Sequence, residues 1–230
     1  EGDGTDTWIE GVEPSLFDKD APCEVDFSKS AEFLSKIREA GIVGMGGATF
    51  PTHIKLSPPP DKKIDTLILN GAECEPYLTA DHVLMLERPR SILLGMRIMQ
   101  EILKVQNVII SIENNKPDAV EAMRKAAEGY ADVTIAVCQT RYPEGGEKQL
   151  INAVLGREVP SGKLPMEVGS VVQNVGTAFA VYEAVALHKP LIERVLTVTG
   201  PAIRHPKNLL ARIGTPFKDI LNYCGYEDQE

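Results

Sequence analysis

Gly44, Gly46 and Gly47 crowd into one short stretch, and Phe50, Pro51, Thr52 and Lys55 follow directly. A backbone this bare lets several N–H groups converge on an anion such as a phosphate, and Lys55 would add a positive charge. The spacing is not G-x-G-x-x-G, it follows a helical pattern rather than a strand, and no Gly-Lys-Ser/Thr closes it. Both the dinucleotide fingerprint and the Walker A loop are therefore absent here. A second stretch, Asn70-Gly71-Ala72-Glu73-Cys74-Glu75-Pro76-Tyr77, follows an apolar run. Asn70 can give and accept hydrogen bonds, and Glu73 and Glu75 suit ribose hydroxyls or ring N–H groups. A third, Arg141-Tyr142-Pro143-Glu144-Gly145-Gly146-Glu147-Lys148, opens a helical pattern. A fourth comprises Ser161-Gly162-Lys163 and then Gln173-Asn174-Val175-Gly176-Thr177. Taken singly, each has a plain alternative: an ordinary turn, a solvated acidic loop or, for Phe50, core packing. Taken together, at strand ends and helix starts, they favour a nucleotide-like ligand.

Other chemistries find no residues. No Ser/His/Asp or Cys/His arrangement suggests a nucleophile. His53, His82, His188 and His205 lack metal-ligand spacing, so no metal site is expected. Cys23, Cys74, Cys138 and Cys224 form no CxxC pair and no iron–sulfur run, and four thiols in a reducing compartment are expected. The 230 residues carry a formal charge of −9. That disfavours nucleic acid and anionic lipid as partners. The apolar content, 43%, suffices for a sizeable core, and no run is long enough to span a membrane.

The elements that must hold these stretches alternate. Ser30 would cap a helix over 31–40 whose Phe33, Leu34 and Ile37 share a face and which Gly41 ends. Buried strands are expected over 64–70 and 107–113, and a third strand over 133–137. Helices are expected over 89–104, 117–128, 147–155 and 175–187, with Met96, Met99 and Leu103 as core. Strands alternating with helices make an α/β domain around a mainly parallel sheet. The tail differs: strands over 194–199 and 209–213 precede a short helix over 217–223. The expected division is an N-terminal arm over 1–29, with Trp8, Ile9 and Val12 as its apolar cluster, a nucleotide-binding domain over 30–190 and a small α+β module over 191–230 ending in an acidic tail.

At the four stretches the chain resembles a known family. Gly44 to Lys55 is similar to the flavin loop of the NADH-oxidising flavoprotein subunit of respiratory complex I, and Asn70 to Pro76 is similar to its second motif. Tyr142 to Glu147 and Gln173 to Thr177 match later motifs more loosely. Ile112-Glu-Asn-Asn-Lys-Pro117 and Val159-Pro-Ser-Gly-Lys-Leu-Pro165 resemble the branch formed by C subunits of Rnf electron-transport complexes. Met45 stands where the complex I loop has Arg, Gln173-Asn174 where it has Asn-Asn, and Glu144-Gly-Gly-Glu147 where it has Cys-Gly-Glu-Glu. The resemblance implies a Rossmann-like sheet with helices on both faces that binds FMN, followed by a truncated β-grasp module. It implies that Gly44, Gly46, Gly47 and Lys55 cradle the phosphate and ribityl chain, and that Asn70, Glu73 and Asn174 bond the flavin. Gly145 and Gly146 would let the ring approach. Phe50, Glu75, Glu147 and Lys163 would face NAD(H). It further implies a fragment of a longer polypeptide whose [4Fe–4S] clusters lie outside it. That polypeptide would work in a ferredoxin:NAD+ oxidoreductase, with the other Rnf subunits as partners and ferredoxin reached indirectly. It would sit peripherally on the cytoplasmic face of the bacterial inner membrane. A cobalamin-reducing flavoprotein of the same architecture and a non-catalytic docking scaffold are the alternative readings.

Overall fold

The computed structural model describes residues 23–227. Most of the expected arm, with Trp8, Ile9 and Val12, and the last residues of the acidic tail lie outside the described residues. Four parallel strands form the sheet: β1 (Thr66–Gly71), β2 (Asn107–Glu113), β3 (Val133–Cys138) and β4 (Ser170–Asn174), in the spatial order β3-β2-β1-β4. Strand alternation sends Leu67 and Leu69 into the larger core and Ile68 into a smaller one on the opposite face. The larger core is roofed by α4 (Pro89–Leu103), α5 (Pro117–Ala126) and α7 (Val175–Ala186), the smaller by α6 (Glu147–Leu155). This is the expected Rossmann-like arrangement, with β1 and β2 read as buried runs because both faces are covered.

Successive strands step outward from β1 to β3, and the chain then returns to place β4 on the other side of β1. The loops leaving β1 and β4 therefore part at one point, where α/β sheets bind their ligands. Asn70 and Asn174, the last residue but one of β1 and the last of β4, are register partners there. The depth of α7 is set by Gly95 of α4. A Cβ on Gly95 would lie 1.8 Å from the Ala178 carbonyl oxygen, so the two helices approach backbone to backbone.

Three details differ from expectation. The first helix does not start at Ser30. The Asp26 side chain accepts from Ser28 N at 3.1 Å and starts a 3-10 turn, Phe27–Glu32, which runs into α1 (Phe33–Glu39). Two helices add to the expected set: the single turn α2 (Thr52–Lys55) and α3 (Ala80–Glu87). So do β4, whose five residues carry only two apolar side chains, and the 3-10 turn Pro165–Val168 that feeds it. The end of α1 follows expectation: Gly41 takes φ +67°, Ile42 N donates to Ile37 O and Gly41 N to Arg38 O, and the chain turns into the glycine loop. Beyond the sheet, β5 (Glu193–Val198) and β6 (Lys207–Arg212) form an antiparallel pair backed by α8 (Phe217–Tyr223). Among the described residues no helix is long and apolar enough to cross a membrane.

Candidate functional site

The glycine loop is closed by its own ends: Gly44 N donates to Phe50 O at 2.8 Å and Val43 bridges Pro51. It lies on the amino end of α7. Met45 N donates to Thr177 Oγ1 at 2.9 Å, and a Cβ on Gly46 would come within 3.5 Å of Asn174 Cβ. Gly47, at φ +118°, faces open space, and Phe50 is half exposed at 49%. Lys55 ends α2 and pairs with Glu147 at 2.5 Å. Two residues expected to serve different molecules, Lys55 the flavin phosphate and Glu147 the nicotinamide nucleotide, therefore hold one another across the site.

The loop after β1 is braced from both sides. Asn70 Nδ2 donates to Gly145 O at 2.8 Å, while Asn70 Oδ1 accepts from Ala72 N at 3.0 Å. A Cβ on Gly145 would fall 2.4 Å from Ala72 O, so this glycine lets the β3–α6 loop press against the β1 loop. Gly146 is the residue before α6. The Glu73 carboxylate accepts from Asp81 N at 3.2 Å and His82 N at 3.3 Å, capping α3 in place of a local cap. Glu75 is exposed in the same loop. Lys163 is not brought to this cluster. It lies on an exposed turn, and Glu167 and Gly169 beyond it bond Lys62 and Asp65 ahead of β1.

Asn174 is fully employed. Its Oδ1 accepts from Gly176 N at 2.8 Å and Thr177 N at 3.3 Å, capping α7, and its Nδ2 donates to Asp81 Oδ2 at 2.6 Å. Asp81 escapes sequence reasoning because α3 itself does. Thr79-Ala80-Asp81 before Val83 and Leu84 is the available signal. Burial and the neighbouring Glu73 carboxylate push Asp81 up to about 7, although Asn174, Arg194 and Lys116 pull the other way. Folded Asp81 therefore holds a proton that the unfolded chain releases near 3.8. Stability falls as pH rises between those values and levels off above the higher one. Asp81→Asn cannot ionise. It is expected to be more stable than the parent at pH ~8, by on the order of 2–4 kcal/mol, and equal to it near pH ~4. Urea unfolding at the two pH values checks this, and an equal gain at both would contradict it.

A second polar residue stands out. Gln173, beside Asn174 on β4, is 3% exposed, and its Nε2 is buried without a partner. An orphaned amide donor, an uncovered glycine backbone, a cation at Lys55 and a half-exposed aromatic ring suit a ligand with a phosphate and a flat heteroaromatic ring. The set fits FMN. Residues of the C-terminal pair grip the same region. Arg194 Nη2 donates to Met45 O at 3.3 Å, Thr79 N donates to Thr197 Oγ1 at 3.1 Å, and Asn208 Nδ2 donates to Thr79 Oγ1 at 2.9 Å. The cysteines are all free; Cys138 and Cys224 are buried, and Cys23 is exposed.

Comparison with known proteins places this chain in a family. The profile of the Nuo51 FMN-binding domain matches residues 37–183, and the chain belongs to that family. Over 225 residues it is 55% identical to the C subunit of the proton-translocating ferredoxin:NAD(+) oxidoreductase complex of Clostridium ljungdahlii, covering 98% of this chain and 48% of that protein. It is 46% identical over 227 residues to the C subunit of the Na(+)-translocating ferredoxin:NAD(+) oxidoreductase complex of Acetobacterium woodii, covering 98% of this chain and 49% of the relative. The chain thus spans about half the length of these curated relatives. Among solved structures, an NAD+-reducing [NiFe]-hydrogenase in the H2-reduced state superposes with a TM-score of 0.79 at 24% identity. That match covers 95% of this chain and 44% of the other, and it shows the shared fold.

Proposed function

We propose that this chain binds FMN at the carboxyl ends of β1 and β4 and exchanges a hydride there with NAD(H). In this reading it works as part of a ferredoxin:NAD+ oxidoreductase complex, peripheral to the cytoplasmic face of the membrane. Its electrons pass to iron–sulfur clusters outside this chain, ferredoxin is reached through other subunits, and those subunits are its partners. The observation that carries the reading is the register pairing of Asn70 with Asn174 at the reversal of strand order, with the glycine loop laid over the amino end of α7. The names of the relatives, both belonging to oxidoreductase complexes, support it.

Bound FMN supplies the hydride chemistry and the change from two-electron to one-electron transfer. The chain supplies position. The N–H groups of Gly46 and Gly47 and the Lys55 ammonium take the phosphate, while the Gly44 N–H closes the loop on Phe50 O; Lys55 exchanges Glu147 for the ligand. Asn70, Glu73 and Asn174 border the ring, held by bonds already made to the protein, and Gln173 offers its free amide donor. Gly145 and Gly146 keep the facing loop flat. Phe50, Glu75 and the released Glu147 receive the nicotinamide nucleotide, Phe50 through ring stacking.

FMN titration followed by fluorescence quenching tests the reading. Lys55→Ala is expected to weaken binding about tenfold or more, since it removes a charge-assisted phosphate contact. NADH should then bleach the bound flavin under anaerobic conditions. Absence of saturable binding, in both this chain and the full-length protein, would overturn the proposal.

A further inference from the structure

The turn between β2 and α5 carries Glu113-Asn114-Asn115-Lys116, which the site described above leaves without a role. Glu113 is 1% and Lys116 5% exposed. Lys116 Nζ donates to Glu113 Oε2 at 3.0 Å and to the main-chain oxygen of Glu73 at 3.2 Å. Glu113 Oε1 is buried with no partner. As a source of stability such a pair is poor. Both charges lose their water, and the attraction between them repays this only when every remaining lone pair is satisfied. Apolar side chains of similar volume would serve the core at least as well.

What the pair does hold is the wall of the site. Lys116 fixes the Glu73 backbone, and the Glu73 carboxylate in turn receives the Asp81 and His82 N–H groups that open α3. Asp81 then meets Asn174 across the reversal point. On its other flank the same turn anchors the loop after β3. Asn114 N donates to Cys138 O at 2.8 Å, and Asn114 Oδ1 accepts from Thr140 N at 3.0 Å and Thr140 Oγ1 at 2.8 Å. One turn at the end of β2 thus ties together the loops that leave its two neighbours in the sheet.

We propose that the Glu113–Lys116 turn is a positioning device, which keeps Glu73 and the amino end of α3 in register with Asn174 at some expense of stability. Its bearing on flavin rests on the function proposed above; the positioning itself does not. Lys116→Met alone would strand a buried carboxylate, so the informative variant is Glu113→Leu/Lys116→Met. Amide hydrogen exchange of the ligand-free protein is the first readout. The Asp81 and His82 amides are expected to exchange about tenfold faster or more, while amides in the middle of α4 and the urea midpoint stay at or above the parent values. Exchange at Asp81 and His82 within about twofold of the parent, or a sharp fall in the urea midpoint, would overturn the proposal. FMN affinity is the second readout and is expected to weaken about tenfold in the double variant. If the parent itself binds no FMN, the flavin reading fails while the exchange result still decides the positioning role.

Discussion

Gly95→Ala is expected to destabilise the protein by on the order of 3 kcal/mol or more. The added methyl would fall 1.8 Å from the Ala178 oxygen and 2.6 Å from its carbonyl carbon. Those are backbone atoms of α7, which cannot rotate aside. Helices α4 and α7 would have to separate along a seam where Ile92, Met96, Met99, Val181 and Val185 are buried. A closely packed interior gives way only by opening voids around such a wedge. Alanine's better helix propensity returns about 1 kcal/mol, which is too little to compensate. For a chain of this length the loss corresponds to a fall in Tm of roughly 6–12 °C. Thermal and urea unfolding of the variant measure it, and an unchanged or raised midpoint would show that the seam has slack. The site should suffer too, because Asn174 caps α7.

Asn174→Ala is expected to act on stability and site together. The variant removes the cap of α7, worth about 1–2 kcal/mol. It also deprives Asp81 of the donor that lies 2.6 Å away, and stranding a buried polar group costs about 1–3 kcal/mol. The combined loss is roughly 2–4 kcal/mol, because the two terms share a side chain and are not independent. Asn174→Asp separates them. Aspartate caps a helix as well as asparagine does, but it sets a third carboxylate against Asp81 and Glu73. That variant should match the parent near pH ~5, where a proton can be shared, and fall below it at pH ~8. Urea titrations at both pH values would reveal this, and equal losses would mean that the cap alone matters.

Much of the architecture is legible in the sequence because local pattern and final position agree. The run Asn107–Glu113 is buried on both faces and reads as a strand from its Val and Ile content, and α6 and α8 span the residues expected for them, 147–155 and 217–223. The failures at α3, at Asp81 and at the Lys55–Glu147 pair share one cause: partners distant in sequence. Helix α3 has no local cap, because Glu73 supplies it from the preceding loop. Asp81 is therefore an unremarkable surface acid in the sequence and a half-buried proton carrier in the fold. Likewise, the glycine loop and the acidic loop are legible as polar stretches at strand and helix ends, but the pairing of Lys55 with Glu147 joins residues 92 apart and has no local signature. Strand β4 is hidden for a different reason: Val171 and Val172 alone carry its apolar signal, and Gln173-Asn174 reads as the start of the next helix.

The grip of the C-terminal pair on the site has a consequence for how the two answer to each other. Arg194 holds the glycine loop at Met45, while Thr197 and Asn208 hold Thr79, two residues ahead of Asp81. The β5–β6 hairpin thus touches both walls of the cleft, and a two-stranded ribbon is marginal in isolation. A molecule that draws those walls together also tightens the hairpin, and anything that docks on the hairpin and shifts it must loosen or tighten the cleft by the same free energy. Such reciprocity is a thermodynamic requirement wherever one set of contacts serves two sites. Occupancy of the cleft and any load on the hairpin are therefore linked through the few bonds made by Arg194, Thr197 and Asn208.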